Sequence, residues 1–179
     1  VAEALAVTTY YRAITADEVF DQVPRGNRPY FRAALSEEYD HLVILQKAGA
    51  AATPTTFHYP TGTFESLRGF GKVLEALENA FISAYGAAVP RFCALGQPAL
   101  AQLAYRIGGV EAEHRFAIRD TLGDTVPNNL CLEPALFDCV SDAAAALAPF
   151  VNGASGFTET RRMPTANQIT NAIGPFGCS

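Results

Sequence analysis

The sequence has no tryptophan, one methionine and three histidines, and only 17% of its 179 residues are charged. It contains no C-x-x-C pair, no glycine-rich phosphate loop and no G-x-S-x-G turn. The first absence removes zinc-finger and dithiol redox readings, and the other two remove nucleotide-binding and serine-hydrolase readings. The 13 basic residues form no run and the formal net charge is −5, so the electrostatic footprint of a nucleic-acid partner is missing. No apolar stretch reaches the roughly 20 residues that span a bilayer. Even AAAALAPFV at 143–151 is short and contains Pro149. Neither nucleic acid, a transmembrane segment nor an organic cofactor is expected.

What is present is apolar material, at 49% of the chain, enough for one domain with a real core. Most of it recurs at helical spacing. The pattern predicts a first helix from Val1 to about Asp17, broken by QVPRGNRP, and a second from Pro29 to about Gly49. AAATPTTFHYPTG (50–62) reads as loop. A third helix is expected over about Thr63–Val89, with a break at Gly69 and Gly71 and an end at Pro90, and a fourth from Pro98 to Gly123. A fifth helix over Pro134–Leu147, a polar loop at 152–164 and a short last helix at 165–174 complete the chain. The expected fold is all-α: an antiparallel four-helix bundle over residues 1–123, with a C-terminal helical extension over 124–179 packed on the same domain.

The polar exceptions on the oily faces carry the functional signal. In the fourth helix Leu100, Leu103/Ala104, Ile107, Glu111, His114 and Ile118 follow at steps of three and four, so Glu111 and His114 point inward. Glu113 falls off that stripe and reads as a surface charge. The second helix repeats the device: Phe31, Leu35, Glu38, Leu42 and Leu45 share a face, and His41 stands three after Glu38. The third histidine, His58, lies in a loop and is assigned no role. The third helix offers Glu78 in line with Leu74, Phe81 and Tyr85, and the first offers Glu3 in line with Val7, Tyr10 and Ile14.

Four inward carboxylates cannot share a core uncompensated, since an unpaired buried charge costs several kcal/mol. Two cations held by four carboxylates and two neutral imidazoles would neutralise them. One Glu on each of two helices plus Glu-x-x-His on each of the other two is the ligand set of di-metal carboxylate bundles. Oxygen and nitrogen donors favour iron or manganese over structural zinc. Tyr10 and Tyr85 lie one turn inside the stripe, as donors behind the ligands or as ordinary core aromatics.

On these residues the chain resembles the ferritin-like superfamily of four-helix di-iron proteins, and within it the exported or stress-associated ferritin-like domain proteins related to desiccation-related proteins. Glu3 in VAEALAVTTYYRA, Glu38 and His41 in EYDH, Glu78 in LENAFISAY, and Glu111 and His114 in EAEH carry the resemblance. Glu3 to Glu38 spans 35 residues and Glu78 to Glu111 spans 33, like two similar helix-pair halves. The resemblance implies that these six are the ligands of two iron or manganese ions, with Glu38 and Glu111 bridging. It implies oxidation of Fe(II) or reduction of oxygen or peroxide in stress protection. The alternative is a metal-free scaffold with a structural, surface-assembly or stress-protective role, its Glu–His pairs kept as a buried polar network.

Cys93, Cys131, Cys139 and Cys178 allow two disulfides in three connectivities. Cys131 and Cys139 are too far apart on one helix to join each other, so each would pair with Cys93 or Cys178 and tie the extension to the bundle. Four free thiols are the competing reading. The even cysteine count, and a chain that opens at Val1 as if an export signal had been cleaved, give an exported protein as the expectation, at the periplasm, cell surface or outside the cell. A cytoplasmic location is the alternative, and a homo-oligomer or surface assembly is compatible with both.

Overall fold

The computed structural model describes residues 1–51, 54–124 and 126–174. The described residues form seven helices and one two-stranded ribbon, so the all-α expectation holds. The chain divides into two compact units, Val1–Phe70 with Pro149–Ser179, and Gly71–Ala148. The four long helices supply one antiparallel pair to each. No helix among the described residues is long and apolar enough to cross a membrane.

In the first unit α1 (Ala2–Ile14) packs along α3 (Arg28–Lys47), with the four-residue α2 (Asp17–Phe20) between them in sequence. The pair is antiparallel: Glu3 near the start of α1 meets His41 near the end of α3, and Tyr10 near the end of α1 meets Phe31 near the start of α3. Every residue from Glu3 to Tyr10 is buried, which makes α1 an interior helix. Its threonines fit there because Thr8 and Thr9 donate their hydroxyl protons to the carbonyls of Ala4 and Leu5, each at 2.7 Å. Pro29 occupies the first turn of α3, where its missing N–H costs nothing.

The two stretches expected as loops instead pair with each other. Strand β1 (Thr56–Tyr59) runs antiparallel to β2 (Glu159–Arg162), with Thr56 opposite Arg162 and Tyr59 opposite Glu159. Alternation sends Phe57 and Tyr59 into the core, both fully buried. The last helix, α7 (Ala166–Ile173), is too short to persist alone. It is held on α3 by buried Ile169 and Ile173, each contributing roughly 1.5–3 kcal/mol, and by a capping box between Thr165 and Gln168. Arg32 of α3 adds a hydrogen bond to the Ala172 carbonyl.

The second unit is built on α4 (Leu67–Ala94) and α5 (Pro98–Leu122), joined by a turn in which Gly96 takes a positive φ of 68°. They are antiparallel, since Glu75 meets Arg119 and Asn79 meets Arg115. The expected break in the third helix is absent. At Gly71 an added Cβ would lie 2.7 Å from Leu122 Cδ2, so that side chain would have to swing aside. The helix also continues through Pro90 to Ala94. The fifth helix begins later than expected: α6 spans Val140–Asn152 and carries Pro149 in its last turn. Residues 134–139 stay outside the helix instead: Ser83 Oγ accepts from the Leu136 N–H at 3.2 Å, and the Asn79 and Pro134 carbonyl oxygens share its proton at 2.7 and 2.8 Å. Asp142 then accepts from the Cys139 N–H at 3.2 Å, which fixes where α6 starts.

The expected disulfides are not found among the described residues. Cys93, Cys131 and Cys139 carry free, exposed thiols, and Cys178 lies outside the described residues. Cys131 sits two residues before Glu133, which Arg115 anchors at the level of Asn79, roughly four turns along α4 from Cys93. A disulfide tolerates a Cα separation of only about 4.4–6.8 Å. Cys139 instead has its Sγ 2.9 Å from Ser141 Oγ.

Candidate metal centre

Each unit gathers one Glu and one Glu-x-x-His. In the first, Glu3 comes from the first turn of α1, and Glu38 and His41 from one face of α3. His41 Nδ1 lies 3.4 Å from Glu3 Oε2 and 3.8 Å from Glu38 Oε2. One donor atom from each of the three falls within 4.8 Å of the others. The antiparallel pairing explains the meeting, because the start of α1 and the last turns of α3 occupy the same level. Glu38 is fully buried, and Glu3 and His41 are 2% and 8% exposed.

In the second unit the same composition recurs from α4 and α5. His114 Nδ1 stands 3.2 Å from Glu111 Oε2, and donor atoms of Glu78, Glu111 and His114 again fall within 4.8 Å of one another. Glu78 and Glu111 are fully buried and His114 is 4% exposed. The three-residue spacing of Glu111 and His114 puts both on one helical face, one turn apart. Glu113, between them, is exposed as expected.

Tyr10 is a core aromatic, 2% exposed and edge-on to Phe31 at 6.3 Å. Tyr85 is half-buried on α4, its Cβ facing Gly108 so closely that an added Cβ there would sit at 3.2 Å. His58 lies in β1, within 3.2 Å of Thr160 Oγ1, away from both clusters in sequence and hydrogen bonding.

Sequence reasoning placed Arg115 and Arg119, one and five residues after the α5 histidine, as charges near the helix end and gave this buried pair no further role. Arg115 and Arg119 are 4% and 8% exposed. Arg115 grips Glu133 through two nitrogens, at 2.5 and 3.1 Å, and reaches Asn79 Oδ1 at 3.5 Å. Arg119 pairs with Glu75 at 3.4 Å and donates to Asn129 Oδ1 at 2.7 Å. The two guanidiniums pin residues 129–133 to the helix pair that carries Glu78 and His114. Their i, i+4 spacing, in phase with an apolar stripe, was the available signal; it reads equally well as favourable charge near a helix end.

An all-α fold of paired long helices, with buried Glu and Glu-x-x-His on each pair, defines the class of helical carboxylate–histidine metal-binding proteins. The family model described as ferritin-like domain matches residues 2–124, and the chain belongs to that family. Comparison with curated proteins and with solved structures returns no match.

Proposed function

We propose that the two clusters hold two iron or manganese ions, one in each helix pair, used to oxidise Fe(II) or to reduce oxygen or peroxide in a protective, stress-associated role. The repeated donor set carries this reading: two buried carboxylates and one buried imidazole from each helix pair. Two carboxylates with a neutral imidazole carry two negative charges, which one divalent ion cancels. Left without a counter-charge, such a cluster would cost several kcal/mol per ion. The donors are hard oxygens and imidazole nitrogens with no sulfur, which suits iron or manganese.

Glu3, Glu38 and His41 would hold one ion and Glu78, Glu111 and His114 the other. Bound iron or manganese would supply one-electron steps to an oxidant. The protein's own part is positioning. The carboxylates bind and orient, the imidazoles fix direction, and the buried Leu35, Ile107 and Ile118 on the same stripes exclude bulk water.

The test is anaerobic titration of the full chain with Fe(II), followed by admission of oxygen. The reading expects saturable uptake of about two ions per chain and Fe(II) oxidation faster than in protein-free buffer, both reduced in Glu78→Ala with the helical content kept. Uptake without accelerated oxidation would contradict the redox role. No uptake of Fe(II) or Mn(II) would contradict the centre itself and leave a metal-free scaffold.

A further inference from the structure

The second unit contains an open cleft of about 790 Å³ between α4, α5 and the non-helical segment that precedes α6. That volume lies within the range of small-molecule sites. Its walls are mainly apolar and aromatic, with Tyr85 on α4, Tyr105 on α5 and Phe137 on the segment. Two glycines face the space from within helices, Gly86 and Gly109. An added Cβ at either position would meet nothing within 4 Å, so packing does not exclude alanine there. Glycine inside a helix is less stable than alanine. These two therefore weaken their helices while leaving the cavity wider. Gly108 is the contrast, since a Cβ there would press on Tyr85 at 3.2 Å.

The charges on the lining balance. Glu133 is engaged by Arg115 through two hydrogen bonds, which leaves Arg106 and Asp138, one of each sign. A pocket with no net charge and apolar walls favours an uncharged occupant, because an ion would give up its hydration without a net counter-charge. We propose that this cavity binds a neutral, mainly apolar ring compound, with its ring against Tyr105 and Phe137. The site is separate from the six carboxylate and histidine residues, and binding there needs no metal.

The direct test titrates the full chain with 2-naphthol. The absence of tryptophan lets the probe's fluorescence be excited selectively, and calorimetry gives the stoichiometry. The expected result is one saturable site of submillimolar Kd. Gly109→Leu and Gly86→Leu should each weaken it at least tenfold, and Tyr105→Ala, at a residue 74% exposed, severalfold without disturbing the fold. Naphthalene-2-carboxylate and 2-naphthylmethylammonium should both bind more weakly than 2-naphthol. No saturable binding, or unchanged binding in Tyr105→Ala and in whichever leucine variant keeps its helical content, would overturn the site. Preference for either charged probe would overturn the ligand class.

Discussion

The hydroxyl of Tyr59 shows how one buried polar atom makes a fold sensitive to pH. Tyr59 is fully buried, and its OH lies 3.0 Å from Thr9 Oγ1. Because Thr9 already donates to Leu5, the tyrosine must be the donor. Burial raises its pKa above the ordinary value, against a smaller lowering effect from Arg161. Above pH ~10 the unfolded chain therefore sheds this proton more readily than the fold does. The resulting stability is complete below pH ~10 and is lost as the pH rises toward the raised value. Tyr59→Phe should cost about 0.5–1.5 kcal/mol at neutral pH, and the gap between the two proteins should narrow at about pH 11 in denaturant titrations. A gap of constant size would contradict the assignment. Glu38, His41, Glu111 and His114 were legible in the sequence because a three-residue step keeps both members of each pair on one apolar stripe. The role of Arg115 was not, since its partner Glu133 lies in a segment with no periodic pattern.

Among the elements, glycines were the most misleading letters. Gly69 and Gly71 read as helix breakers, yet α4 runs through both. At Gly69 the lack of a Cβ serves close approach: a Cβ there would stand 2.8 Å from the Gly62 carbonyl oxygen, a backbone atom that cannot swing aside. Gly69→Ala should therefore destabilise by about 1–3 kcal/mol. Gly109→Ala, with open space around it, should be neutral or stabilise by up to about 1 kcal/mol. Denaturant midpoints of the two variants decide this, and equal effects would contradict the reading. The ribbon of β1 and β2 was illegible for another reason. Each strand is four residues long, and its partner lies about a hundred positions away, beyond any local periodicity. The α6 boundary was misplaced because Ser83, far off in sequence, accepts from the Leu136 N–H and holds that backbone out of the helix.

For the molecule as a whole, two helix pairs of matching design recur in one chain, and the family match covers residues 2–124. The cysteine arithmetic was the weakest whole-chain inference. An even count says nothing about proximity, and Cys93, Cys131 and Cys139 are exposed free thiols. The central claim, that each helix pair holds one of two iron or manganese ions, is tested most directly by metal content. Mass spectrometry of the protein purified without added metal, beside His41→Ala and His114→Ala prepared identically, should give about two iron or manganese ions per chain. Each variant should keep its helical content and lose the ion of its own cluster. Two full equivalents retained in both variants would contradict these ligand sets, and a metal-free native protein would contradict the metal sites altogether.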